Sequence, residues 1–184
     1  MRVITGEFRG LRLNAVPGNQ TRPTADKVKE SMFNMLGPFF EGGQALDLYA
    51  GTGALGIEAV SRGMDHATLV DRQFAAIKTI RENIDKTHAP ERFTVMKAPV
   101  AKAIAELAGA HYDLIMADPP YAKQEVLKQL AAFLELDLLA ENGVVMLETG
   151  LDVTYPEQIA GFEILRHQTY GVAQVLILQK AVKA

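Results

Sequence analysis

Ala45-Leu46-Asp47-Leu48-Tyr49-Ala50-Gly51-Thr52-Gly53-Ala54-Leu55-Gly56 reads as a strand, a glycine loop and the start of a helix. Ala45 to Tyr49 is apolar apart from Asp47 and short enough for a buried strand. Gly51, Gly53 and Gly56 spell G-x-G-x-x-G, and the helix that opens at Ala54 runs to Ser61 before Gly63 ends it. Glycines here let the backbone turn sharply and approach a ligand closely. Asp71 closes the next apolar run, Ala67 to Val70, about twenty residues further on. An acid at the end of a second strand can accept both hydroxyls of a ribose, so the stretch points to a ribose-bearing cofactor.

The same alternation continues downstream. Phe74 to about Lys86 is expected as a helix with Ala75, Ile77, Ile80 and Ile84 inward, then Phe93 to Met96 as a strand and Val100 to Leu107 as a helix. Tyr112 to Ala117 follows as a strand, Glu125 to Leu136 as a helix and Gly143 to Leu147 as a strand. Repeated β-α-β units imply a parallel sheet with helices on both faces. The tail breaks the pattern: Phe162 to Leu165 and Val172 to Leu178 suit an antiparallel hairpin at the sheet's C-terminal edge. Upstream, Met1 to Val16 reads as a β-hairpin with Gly6 and Gly10 in its turn and Arg9 at its tip. Thr24 is the expected N-cap of a helix through Leu36, where Gly37 and Pro38 stop it. Phe33, spaced with Val28, Met32 and Leu36, is expected in the core. The fold class is therefore α/β, a mostly parallel seven-stranded sheet with an antiparallel C-terminal edge. Residues 1–40 are expected as a small hairpin-and-helix extension, and residues 41–184 as the main domain.

Composition narrows the function classes. The 184 residues are 48% hydrophobic and 22% charged, as in an ordinary soluble globular protein. There is no cysteine, which excludes a disulfide framework, a thiolate metal site and a cysteine nucleophile. His66, His88, His111 and His167 are scattered without metal-ligand spacing. No stretch reads as a signal peptide or a membrane span, so a cytoplasmic protein is expected; a monomer is the separate expectation for its assembly. The net charge of −3 conceals an asymmetry: residues 1–30 hold six basic and three acidic side chains, and the rest of the chain thirteen and nineteen. A basic end on an acidic body suggests that one face meets an anion.

A second motif follows the strand that ends at Ala117. Asp118-Pro119-Pro120-Tyr121 places an acid, two φ-restricted prolines and an aromatic ring just past a strand's carboxyl end. In open α/β sheets that edge is where ligands bind. A dinucleotide satisfies the glycine spacing, but Asp47 beside the loop would repel a pyrophosphate. S-adenosylmethionine fits better, because its ribose suits Asp71 while its amino group and sulfonium tolerate carboxylates. The Asp118 carboxylate and Pro119 carbonyl can then hold the two N–H bonds of an exocyclic base amine and aim its lone pair at the methyl. Tyr121 can stack on the base, a contact worth about 1–3 kcal/mol.

These residues resemble a known family. The Asp118-Pro119-Pro120-Tyr121 corner, the loop from Asp47 to Gly53, Thr21-Arg22-Pro23-Thr24 with Lys27 after it, and the opening Met1 to Gly10 are similar to the RsmD family, bacterial methyltransferases of guanine-966 N2 in 16S ribosomal RNA. The resemblance spans nearly the whole chain. It implies a Rossmann-like class I methyltransferase fold, S-adenosylmethionine as donor and N2-methylguanine as product. It implies 16S rRNA in the small ribosomal subunit, or its assembly intermediate, as partner. Asp118, Pro119, Pro120 and Tyr121 match the catalytic motif. Asp47, Gly51 and Gly53 match the cofactor loop, Asp71 the ribose acid, and Thr21 and Arg22 the segment near the methionine end. Arg72, Ala98 and Pro99 complete the cofactor candidates. Lys97-Ala98-Pro99-Val100 offers no side-chain acceptor for the adenine amine, so adenine is expected to be read by backbone groups or stacking. Arg2, Arg9, Arg12 and Lys27 are the RNA-contact candidates.

Tyr49 at the end of the first strand is open to a structural or a cofactor-facing role. Glu148, at the end of the fifth strand, could contact substrate but is expected as a solvated edge residue. The rival readings are an amino-group DNA methyltransferase, a dinucleotide-dependent oxidoreductase and a non-catalytic RNA-binding factor.

Overall fold

The computed structural model describes residues 1–18, 26–119 and 125–182. A seven-stranded sheet in the order β3-β2-β1-β4-β5-β7-β6 forms its centre. The strands are β1 (Gln44–Leu48), β2 (His66–Asp71), β3 (Phe93–Lys97), β4 (Tyr112–Ala117), β5 (Leu139–Gly150), β6 (Phe162–Tyr170) and β7 (Ala173–Lys180). β3 to β5 pair in parallel, whereas β7 runs antiparallel to both β5 and β6. The chain thus enters the sheet at its centre, winds outward through β2 and β3, and returns through β4 and β5.

Helices α1 (Asp26–Leu36), α2 (Ala54–Ser61), α3 (Phe74–Asp85), α4 (Val100–Glu106) and α5 (Val126–Glu135) divide between the two faces. Met32 and Phe33 of α1, Ile57 and Val60 of α2, and Ile77, Ile80 and Ile84 of α3 share one core layer with Ala45, Met116 and Met146. Ala103 and Ile104 of α4 and Val126, Leu130 and Phe133 of α5 share the other with Leu46, Leu48 and Ala117. The alternation Ala45/Leu46 is the period of two that sends successive strand side chains to opposite faces. Burial on both faces explains why β1 and β4 read as continuous apolar runs. No helix among the described residues is long and apolar enough to cross a membrane.

Three expectations shift. β5 runs from Leu139, where it pairs with Tyr112 before a register shift, to Gly150, beyond the apolar stretch that marks its middle. β6 extends from Phe162 to Tyr170 because Arg166, His167, Gln168 and Thr169 form a solvated edge, which carries no apolar signal. The opening hairpin reduces to a single antiparallel bridge, Arg2 with Arg12. Val3 N–H to Leu11 O, Leu13 N–H to Met1 O and Gly10 N–H to Val3 O hold its two arms together, while Ile4 and Thr5 give their N–H groups to the Glu58 carboxylate and Phe8 gives its own to Ser61 Oγ. The expected cap at Thr24 lies outside the described residues.

Glu58 ties the N-terminal segment down. Its fully buried carboxylate also meets Lys29 Nζ at 3.3 Å and Arg62 Nε at 2.9 Å, both from buried side chains. Lys29 Nζ reaches the Arg2 carbonyl at 2.6 Å. Lys29 therefore does not belong to the exposed basic face its position in the sequence suggested. Burial lowers the Lys29 pKa, and the Glu58 charge opposes that shift. Arg62 lies 4.9 Å from the Phe33 ring centroid, so Phe33 is core and seats a buried cation. Asn83 makes a second tie, accepting from Asn14 N–H at 2.7 Å and donating to Thr52 O of the glycine loop at 2.9 Å.

Removing one partner from a buried ion network leaves uncompensated charge. Glu58→Ala is expected to cost about 3–5 kcal/mol of unfolding free energy. Urea denaturation measures it, and a loss within about 0.5 kcal/mol, the range of ordinary surface changes, would refute the anchoring role.

Candidate active site

The parallel register of β1 with β4 decides where the two sequence motifs meet. Asp47 pairs with Met116 and Leu48 with Ala117, so the glycine loop and the Asp118-Pro119 corner leave the sheet side by side. Tyr49 enters the loop with φ at 59°, a left-handed conformation uncommon for tyrosine. Its hydroxyl accepts a hydrogen bond from Gln129 Nε2 of α5. Gly51 (φ 58°) and Gly53 (φ 83°) supply the remaining left-handed turns at no steric cost. A Cβ on Gly51 would meet nothing nearer than Tyr49 O at 4.0 Å, so the loop presents open backbone there. A Cβ on Gly56 would lie 2.9 Å from Leu69, so the third glycine serves close packing of α2 on β2.

Two acids hold the loop. Asp47 Oδ2 accepts the Gly56 N–H at 2.9 Å, which fixes the start of α2 over the strand end. Asp71 accepts Gly51 N–H on one oxygen and Gln73 N–H on the other, both at 2.9 Å. Each Asp71 oxygen keeps a second lone pair for a ligand hydroxyl. Ala98 N–H donates to Asp71 O at 3.1 Å, which brings the β2 and β3 ends together. Ala98 is buried, while Arg72 and Pro99 are exposed at the same edge.

Asp118 is half-buried at the end of β4, and Pro119 is buried behind it. Burial, then Glu148, then Asp47 raise the Asp118 pKa well above the usual carboxylate value. Asp47 is pushed up to about 7 by burial, against the Gly56 N–H, with Asp71 adding to the shift. Glu148 corrects the expectation of a solvated edge residue: it is 6% exposed. The physical reason is strand order, because β7 inserts beside β5 and makes it an interior strand. The available signal was the apolar run Val144 to Leu147 ending in an acid, the same grammar that ends β4. Asp47, Asp71, Asp118 and Glu148 thus gather carboxyls from four strands at one edge, a setting that favours cationic or hydrogen-bond-donating ligands over a pyrophosphate.

Of the other sequence candidates, Thr21, Arg22, Pro120 and Tyr121 lie outside the described residues. Arg2, Arg9 and Lys27 line a cleft of about 480 Å³ between the opening segment and α1, together with Asp26 and Glu30. Arg2 pairs with Asp26 at 3.5 Å across it. Arg12 is exposed, and its carbonyl accepts from Lys86 Nζ.

The strand order with its antiparallel β7, the glycine loop after β1 and the acid-proline corner after β4 define a Rossmann-like methyltransferase. The chain belongs to the RsmD family: the family model described as conserved hypothetical protein 95 matches residues 1–179. YlbH of Bacillus subtilis (strain 168) is 42% identical over 98% of this chain and 99% of its own. Ribosomal RNA small subunit methyltransferase D of Escherichia coli (strain K12) is 28% identical over 98% of this chain and 90% of its own. The solved structure of yhhF from Escherichia coli superposes with a TM-score of 0.83 at 29% identity, covering 100% of this chain and 99% of that one.

The Asp47 proton has a consequence for stability. With its folded pKa raised to about 7, Asp47 binds a proton more tightly folded than unfolded. That contribution is complete below about pH 4, the ordinary aspartate range, and is lost as pH rises through the folded pKa. Asp47→Asn does not titrate, so between pH 4 and 8, where the parent loses about 4 kcal/mol, its Tm is expected to gain roughly 10 °C on the parent. Thermal melts across that range check it, and a Tm difference that does not change with pH contradicts the assignment.

Proposed function

We propose that the protein uses S-adenosylmethionine to methylate the exocyclic N2 of a guanine in 16S ribosomal RNA. The observation that carries this reading is the open backbone over Gly51 beside the Asp118-Pro119 corner, at an edge populated by carboxyls. The residues fit the donor: Gly51 and Gly53 would face its methionine arm and Asp71 its ribose, with Arg72, Ala98 and Pro99 flanking the adenine. Thr21 and Arg22 are assigned to the methionine end by sequence alone. When bound, S-adenosylmethionine supplies an electrophilic methyl on a sulfonium. Its positive charge would also favour the ionised forms of Asp47 and Asp118.

Asp118 and the Pro119 carbonyl accept the two N–H bonds of the target amine. This holds the nitrogen for in-line attack and favours its pyramidal form. Transfer forms one N–C bond, breaks one S–C bond to leave a thioether, and passes one N2 proton to the accepting Asp118 carboxylate. The carboxylate must be ionised to accept, so turnover rises with pH as Asp118 loses its proton. Tyr121 is assigned to stack on the base, which must leave any helix it occupies. The cleft lined by Arg2, Arg9 and Lys27, with Arg12 nearby, is assigned to the RNA backbone, and residues 1–40 act as the RNA-contacting extension. The names of the family relatives support ribosomal RNA as the substrate, and the sequence resemblance supports guanine N2.

The test is to incubate the protein and isotope-labelled donor with small-subunit particles from cells lacking the enzyme, and to analyse RNA nucleosides by mass spectrometry. Labelled N2-methylguanosine is expected; label on DNA alone would overturn the reading. Asp118→Ala should lower turnover by about a hundredfold or more while donor binding by calorimetry stays near the parent's. The double change Arg9→Ala with Lys27→Ala should make the salt dependence of particle binding shallower by about two ions, and an unaltered slope would remove both from the RNA surface.

A further inference from the structure

Ala117 pairs with Leu147 in the parallel β4–β5 ladder, so Asp118, just past the end of β4, and Glu148 on β5 follow as the next residues. Parallel neighbours at one register lie about 4.8 Å apart and point to the same face. Met116 and Met146, two residues earlier, both enter the core layer beneath α1, α2 and α3. Asp118 and Glu148 share that parity. It is also the face on which Asp47 holds Gly56. Opposite Glu148 on β7 stands Val175, fully buried. A buried carboxyl beside Asp118 is costly to the fold, since it disfavours ionisation of Asp118. An apolar residue would suit an interior strand better.

The chemistry of the proposed substrate supplies a reason for it. Two acceptors on an amine suit adenine, cytosine and guanine alike. Only guanine carries a ring N–H beside its amine; adenine and cytosine carry a ring lone pair there. A carboxylate next to the amine acceptors rewards the first and repels the second. A buried acceptor left facing an unprotonated ring nitrogen discriminates strongly, because its hydrogen bond goes unmade.

We propose that Glu148 selects guanine, accepting the N1–H of the target base while Asp118 and the Pro119 carbonyl hold its N2 amine. This assignment rests on the guanine-N2 reading above and adds the residue that makes the choice of base.

The test compares kcat/KM on small-subunit particles reconstituted with RNA carrying guanine or 2-aminopurine at the methylated position. 2-Aminopurine keeps the amine but presents a lone pair at N1. The parent is expected to prefer guanine by about a hundredfold or more. In Glu148→Gln the amide can turn its NH2 to that lone pair, and the preference should fall by about tenfold, the size of one modest hydrogen-bond difference. Glu148→Met, an apolar change of similar length that relieves the buried charge, should show the same fall and keeps the test open should the glutamine variant fold poorly. Comparing the two substrates within each protein divides out their different amine reactivity. A preference in both variants within about threefold of the parent's, less than one hydrogen bond is worth, overturns the role of Glu148. If the parent makes N2-methylguanine and the variants keep its preference, Glu148 alone has been misassigned. If the parent methylates no guanine, the function proposed above fails with it.

Discussion

The register between β1 and β4 is the constraint on which the site depends. Pairing Asp47 with Met116 and Leu48 with Ala117 brings two strand ends, some seventy residues apart in sequence, to one edge. A slip of one residue would turn Asp47 from the α2 face to the opposite layer, because strand side chains alternate. It would break the bond to Gly56 that starts α2 and bury a carboxylate among Leu46, Leu48 and Ala117. The apolar pattern of both strands excludes that arrangement, so the hydrophobic core and the site geometry are specified by the same residues.

A second carboxylate carries the organisation outward. Glu58 sits two residues beyond Gly56 on a helix whose every residue is buried. It gathers two backbone N–H groups from the opening segment and two cations, one from α1 and one, Arg62, just past the end of α2. The segment that lines the basic cleft is therefore fastened to the helix that follows the glycine loop. Asn83 repeats the tie from α3, joining Asn14 to Thr52 within the loop. The N-terminal residues Val3, Phe8 and Leu13 complete the same core layer as α2 and α3. Cleft and loop consequently share one support.

Much of this was legible in the chain. The glycine loop, Asp71 and the Asp118-Pro119 corner announce themselves because they need particular backbone freedoms or restrictions, and few residue types provide them. The central strands are legible because burial on both faces demands unbroken apolar runs. Legibility fails where a residue's role depends on a distant partner. Lys29 reads as a surface cation until α2 brings Glu58 to it. Glu148 reads as an edge residue until β7 inserts beside β5. The opening residues read as a hairpin because their glycines and apolar spacing permit one. The ladder stays short, with bonds from Val3 to Leu11 and from Leu13 to Met1, because Glu58 and Ser61 take the N–H groups of Ile4, Thr5 and Phe8. The polar half of β6 has no periodicity to betray it, since an edge strand is chosen for solubility.

The sequence by itself determined the alternation of strands and helices, the antiparallel tail, the loop that turns on glycine and the acids that stand at strand ends. These follow from local chemistry: propensity, period and the φ values only certain residues accept. Tertiary structure alone decided which acids keep company. It gathered Asp47, Asp71, Asp118 and Glu148 at one edge, where burial and mutual repulsion raise the proton affinity of Asp47 and Asp118. It also converted Lys29 from an apparent surface charge into a buried partner of Glu58. Charge and burial are properties of neighbourhoods, and neighbourhoods here are made by strand order and helix packing, which no single stretch of the chain contains.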